Sequence, residues 1–215
     1  QAGTQNWKVG QHSNGVMFFA NNDGLLSFDG RLWRKYTLPN KTIARSVAVV
    51  DDRIYIGSQS ELGYFAPDKN GSLVYTSLLK EIREKERNFA DVWEIIPFQG
   101  KIFFRANKKV LLFNAGKFSI FDGIDWSFLG ACDGKLCANE FEKGLLIFQD
   151  DKWVPFNGKN EMHPDVRITS FTRMSPGRIL ITTLKSGLFI LHNNEIKRFS
   201  TPDLDIISGK NVYGS

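Results

Sequence analysis

The chain has 215 residues, 42% hydrophobic and 24% charged, which suits one large folded region or two small ones and is too apolar for a disordered chain. The formal charge of +5 is spread along the sequence. Nucleic-acid binders cluster Lys and Arg on one face or helix, so no direct nucleic-acid partner is expected. No run reaches the ~18–20 apolar residues of a membrane helix, and no membrane contact by this stretch is expected.

Aromatic residues make up 13%, with 18 Phe, a bias toward pleated, half-buried surfaces. One phrase recurs. Gly144-Leu145-Leu146-Ile147-Phe148 is echoed by Gly24-Leu25-Leu26-Ser27-Phe28 and Gly187-Leu188-Phe189-Ile190-Leu191. Weaker copies are Glu61-Leu62-Gly63-Tyr64-Phe65 and Lys109-Val110-Leu111-Leu112-Phe113. Aligned on Phe28, Phe65, Phe113, Phe148 and Leu191, the steps are 37, 48, 35 and 43 residues. That interval matches one propeller blade of roughly 40–50 residues. The expected fold is all-β, a β-propeller of five four-stranded blades, part of a larger or incomplete ring.

In chain order the first repeat (5–38) predicts strands at 6–12, 16–20, 25–28 and 32–37, turned by Asn22-Asp23-Gly24 and Asp29-Gly30. Asx-Gly between apolar runs marks a hairpin, because Gly accepts positive φ cheaply. The second (43–78) predicts strands at 43–50, 53–57, 62–65 and 73–78, and the small Gly57 suits crowded strands near a propeller axis. Residues 78–91 interrupt the pattern. Leu78, Leu79, Ile82 and Phe89 fall near helical spacing among charged residues, predicting one short inserted helix with a Glu81–Lys85 pair and Thr76 or Ser77 as cap. It reads either as a solvated face or as a partner-binding helix.

The third repeat (91–122) predicts strands at 92–97, 102–105, 110–113 and 118–121, and the fourth (126–157) at 126–131, 136–139, 145–148 and 153–156. After a polar loop at 157–167, the fifth (168–200) predicts strands at 168–174, 179–183, 188–191 and 196–199. Residues 203–215 read as the start of a further blade, the whole forming a single propeller region.

Cys132 and Cys137 flank Asp133-Gly134. A two-residue turn there sets Cys132 opposite Lys135 with Cys137 diagonal, a poor disulfide geometry, so two small buried side chains are the simpler reading. No catalytic motif or metal-ligand spacing is present: there is no G-x-S-x-G, no H-E-x-x-H, and the three His are isolated. No catalytic residue, metal or cofactor is assigned.

The tryptophans are the candidate site. Trp7, Trp93 and Trp126 fall on first strands, Trp33 and Trp153 on last strands. First-strand aromatics line the central face of a ring, where they stack on a sugar or hold a peptide, or they pack between blades; both readings stand. The loops between second and third strands at Asn21-Asn22, Gln59-Ser60, Asn107-Lys108 and Lys185-Ser186 put polar groups on one face. The candidate ligand-binding residues are Trp7, Asn21, Asn22, Trp93, Asn107 and Trp126.

Asn21-Asn22-Asp23-Gly24-Leu25-Leu26-Ser27-Phe28-Asp29-Gly30 with Trp33 and Leu38-Pro39-Asn40 resembles the opening blade of two-component-regulator propeller proteins. Arg45-Ser46-Val47-Ala48, Arg53-Ile54-Tyr55-Ile56-Gly57 and Glu61-Leu62-Gly63-Tyr64-Phe65 resemble the next blade. The resemblance spans essentially the whole chain and carries no transferable ligand motif. It implies the N-terminal part of a periplasmic sensor, with Gln1 near the mature N-terminus and a triple-tyrosine sandwich, membrane helix and effector beyond. The expected role is an extracytoplasmic, non-enzymatic ligand-sensing module of a bacterial transcription-regulating protein, responding to a carbohydrate-derived ligand. Expected partners are an oligosaccharide, further blades, downstream signalling domains and a second copy as homodimer. The alternatives are a propeller glycosidase or lyase and a protein-interaction scaffold; fold alone does not choose.

Overall fold

The computed structural model describes residues 2–202, so Gln1 and the expectation for 203–215 lie outside the described residues. The chain forms five sheets of propeller-blade type, the four main strands of each being antiparallel and hydrogen-bonded in sequence order. The first holds β1 (Asn6–Gln11), β2 (Met17–Asn21), β3 (Gly24–Phe28) and β4 (Trp33–Tyr36). The second holds β5 (Ala44–Val50), β6 (Arg53–Ser58), β7 (Glu61–Pro67) and β8 (Leu73–Ser77). The third holds β9 (Val92–Phe98), β10 (Lys101–Ala106), β11 (Lys109–Asn114) and β12 (Lys117–Asp122). The fourth holds β13 (Trp126–Cys132), β14 (Lys135–Glu140), β15 (Gly144–Gln149) and β16 (Lys152–Pro155). The fifth holds β18 (Ile168–Ser175), β19 (Arg178–Thr183), β20 (Leu188–His192) and β21 (Glu195–Phe199), plus β17 (Lys159–Asn160), which pairs parallel with β21. Two compact units divide between Asp122 and Gly123.

The repeated phrase is the third strand of each sheet. Its neighbours on both sides supply ladder bonds, and its apolar run is buried on both faces, as Leu25, Leu62, Leu111, Leu145 and Phe189 are. In the first unit one core fills the space between the first two sheets, with Phe18, Ala20 and Leu25 against Val47, Ile54 and Ile56. A second core joins Tyr55 and Leu62 to Val92, Phe104 and Leu111. Gly57 lies where these inner strands converge. A Cβ there would meet Ser46 Oγ and Val92 Cγ1 at 2.5 Å, and Ser46 Oγ–H donates to Val92 O at 2.7 Å. In the second unit Phe128, Cys137 and Leu145 pack on Ile168, Ile181 and Phe189.

The 78–91 insertion is two short 3-10 turns, Leu79–Glu81 and Glu84–Glu86, and not one α-helix. Ile82 is extended between them, at φ −100° and ψ 131°. An α-helix this short is marginal in water, and the segment buries Leu78, Ile82 and Phe89 together in the core between the second and third sheets. Ser77 Oγ does accept the Leu79 N–H, at 3.3 Å. In place of the expected Glu81–Lys85 pair, Glu86 binds Arg83 at 3.4 Å and Lys109 at 3.1 Å. The loop before the fifth sheet also holds more than polar turns: Met162 and Val166 are buried, and Asn160 Oδ1 accepts the Met162 N–H. Cys132 and Cys137 are both free thiols, and Cys132 pairs with Lys135 across the turn. Burial pushes the Cys137 thiol up to about 12.

Candidate functional site

All five inner strands carry the same irregularity. The register slips between Asn6 and Lys8, Ala44 and Ser46, Val92 and Glu94, Trp126 and Phe128, and Ile168 and Ser170. The extra residue is Trp7, Arg45, Trp93, Ser127 and Thr169. A bulge residue is left out of the ladder pairing, and the local twist re-aims its side chain.

In the first unit these side chains meet. The Arg45 guanidinium carbon lies 4.2 Å from the Trp7 ring centroid and 4.9 Å from that of Trp93. The two indoles are edge-to-face, 6.0 Å apart at 72°. Guanidinium over an indole face is the strongest side-chain cation–π geometry. Arg45 Nε–H donates to Asp91 Oδ1 at 3.0 Å, and the two side chains are 15% and 19% exposed. Asp91 is held by the loop between the second and third strands of its neighbour: its backbone bridges Gln59, and Ser60 N–H donates to Ala90 O at 3.0 Å. Trp7 remains 37% exposed, its orientation set by an indole N–H bond to Asn22 Oδ1 at 2.8 Å. The result is an aromatic platform beside an ion pair.

Of the candidates read from the sequence, Trp7, Asn22 and Trp93 belong to this cluster. Asn21 stands behind it, fully buried. Its amide donates to Gly3 O, Gln5 O and Asn6 Oδ1, and its Oδ1 accepts the Asp23 N–H, so it braces the chain entering β1 and is closed to a ligand. Asn107 is exposed in the β10–β11 connection. Trp126 is 2% exposed and packs on Trp153 at 5.6 Å in the core of the second unit. Arg45 and Asp91 were not singled out in the sequence. A signal exists: the five bulge residues precede the aligned anchor residues by 20 to 22 positions. Reading that column across the repeats picks out Arg45 beside Trp7 and Trp93.

At the other end of β5 lies a cleft of 1010 Å³, lined among others by Asp52, Arg53, Tyr64, Glu81 and Lys101. Its Arg53 is engaged within the lining: it stacks over Tyr64 at 4.8 Å, and a hydrogen bond to Tyr55 raises its pKa. Size alone favours this cleft; convergence of a stacking face with uncommitted polar atoms favours the Trp7–Arg45–Trp93 cluster. In the second unit the bulge residues bond within their own sheets, Ser127 Oγ to Asn139 Oδ1 at 2.7 Å and Thr169 Oγ1 to Thr182 Oγ1 at 3.0 Å.

No protein-family model matches the sequence, and no curated relative does. Among solved structures, the chain resembles the extracellular domain of BT4673 from B. thetaiotaomicron, assigned to a one component system, with TM-score 0.69 and 16% identity over 90% of this chain and 27% of that one. The extracellular domain of BT3049 from the same organism, assigned to a hybrid two component system, matches with TM-score 0.65 and 20% identity over 90% of this chain and 30% of that one. The WD40 β-propeller domain of Doa1 matches with TM-score 0.66 and 13% identity over 92% of this chain and 69% of that one. The chain thus spans about a quarter to a third of the two B. thetaiotaomicron domains. At these identities the likeness establishes the fold: this chain is built of β-propeller blades.

Proposed function

We propose that the chain is a non-enzymatic, extracytoplasmic ligand-sensing propeller module of a bacterial transcription-regulating protein, binding a carbohydrate-derived ligand at Trp7, Arg45 and Trp93. The observation that carries this is the cluster itself: an exposed indole face held in place beside a guanidinium–carboxylate pair, built from one equivalent position in three successive sheets. Indole faces stack on sugar C–H surfaces, and the pair supplies polar contacts. The extracellular regulatory domains of similar fold support a periplasmic address and a sensing role. Further blades and effector domains then belong to the parent protein. Against a glycosidase, the carboxylates around the cluster are committed to arginines, Asp91 to Arg45 at 3.0 Å and Glu94 to Arg105 at 2.7 Å. Glycoside hydrolysis needs one carboxyl protonated as acid and its partner placed across the sugar.

Calorimetric titration with a panel of oligosaccharides, with product analysis, tests this. Saturable binding without cleavage, abolished by Trp7→Ala, is the expected result. Cleavage of any member replaces the sensor by the enzyme. No heat from the whole panel removes the carbohydrate. The scaffold reading is favoured by one feature, Trp33, 58% exposed and stacked on Phe28 at 4.7 Å. Self-association that Trp33→Ser abolishes would support it, with a homodimer as the partner.

A further inference from the structure

The charge balance of the cluster narrows the ligand. Arg45 is already neutralised by Asp91 at 3.0 Å, with both side chains more than four-fifths buried. Only one oxygen and one nitrogen of the pair are used: Nε on Oδ1. The two Nη groups and Asp91 Oδ2 make no hydrogen bond among the described residues, so the pair keeps unused donors and an unused acceptor where the guanidinium lies over the Trp7 indole. An acidic sugar seated on Arg45 would bring a second anion against Asp91 in a partly desolvated place, where like charges repel strongly. A vicinal diol has the matching pattern, since each hydroxyl both donates and accepts.

We propose that the Arg45–Asp91 pair makes this site selective for uncharged sugars by reading two adjacent hydroxyls; this rests on the carbohydrate reading above. Arg45 donates through Nη to one hydroxyl, and Asp91 Oδ2 accepts from the next. The Trp93 ring, 4.9 Å from the guanidinium carbon and edge-to-face with Trp7, holds the guanidinium in register.

The test compares neutral gluco-, manno- and xylo-oligosaccharides with uronate-containing and sulfated ones, on the wild-type chain and on Asp91→Asn. The variant keeps an acceptor for Arg45 Nε–H, so the platform stays intact. Neutral sugars are expected to bind the wild type and acidic ones not. Asp91→Asn is expected to weaken the neutral ligand about tenfold or more, the scale of a hydrogen bond to a charged group, and to admit acidic sugars with an affinity that falls as salt rises. A merely structural Asp91 would lower affinity for all sugars without changing their order. Wild-type preference for acidic sugars overturns the inference and leaves the carbohydrate reading standing. Binding of neither class overturns both.

Discussion

In the first unit the inner-strand bulge displays Trp7, Arg45 and Trp93, which leave their own sheets and meet across three blades. In the second unit the same bulge displays Ser127 and Thr169, whose hydroxyls turn back to the adjacent strand. One backbone device therefore serves two ends. A long side chain re-aimed by a bulge reaches a neighbouring blade; a short one reaches only its own ladder. The difference lies in side-chain length, with the bulge common to all five sheets.

The turn before the third strand makes the same point. Gly24 adopts φ +111°, and a Cβ there would strike Tyr36 O at 2.5 Å. Where the repeat has Glu61 instead, the buried carboxylate accepts hydrogen bonds from Leu62 N–H, Tyr75 O–H and Ser77 O–H. Burial and that carboxylate together push the Tyr75 hydroxyl far up. Where it has Lys109, the ammonium is buried between Asp122 at 2.7 Å and Glu86 at 3.1 Å. Burial pulls its pKa down, but the bonds to the two carboxylates outweigh that and hold it above the ordinary value. Charge at this position is tolerated because the surroundings pair it.

Breaking the support beneath the first-unit cluster has the largest expected effect. Asn21→Ala removes three donated bonds and one accepted bond from a buried site. The amide's two N–H groups share the three acceptors, so at about 1 kcal/mol for each N–H and for the accepted bond the first unit loses about 3 kcal/mol, seen as a lower midpoint in urea. Arg45→Ala comes next. It leaves a largely buried Asp91 without its cation, costing about 2 kcal/mol, less than a fully buried pair because both groups keep some solvent. It also removes sugar binding in the titration. The second unit responds to pH. The folded Cys137 thiol holds its proton up to about 12, against an ordinary 9.0. The unfolded thiol ionises first, so stability is complete below pH 9 and falls as pH rises toward 12. Denaturation of Cys137→Ala is expected to lack that part of the alkaline loss. Smallest is Ser127→Ala, which deletes one hydroxyl bond and costs about 1 kcal/mol or less, with sugar affinity unchanged. A Ser127→Ala chain that lost binding would erase the contrast between the units.

The strands of the repeat were legible because each third strand couples a turn to an unbroken apolar run, and sheet periodicity depends on near neighbours alone. Asn22-Asp23-Gly24 and Asp133-Gly134 announced their hairpins for the same local reason. The inserted helix was misread because Leu78, Ile82 and Phe89 share helical spacing, yet the core between two sheets took them up as two 3-10 turns. Lys159 and Asn160 gave no strand signal; their pairing with Glu195 and Ile196 comes from a distant edge that was free to accept them.

The sequence by itself determined the blades, through repeats of local pattern, and singled out Trp7 and Trp93 on first strands and Asn22 in a connecting loop. Tertiary structure alone decided that Arg45 reaches both the Trp7 and the Trp93 rings and that Asp91 neutralises it. Trp7, Arg45 and Trp93 are far apart in the chain and unlike in chemistry. Only the packing of one inner strand against the next, with a bulge in each, brings them within 6.0 Å.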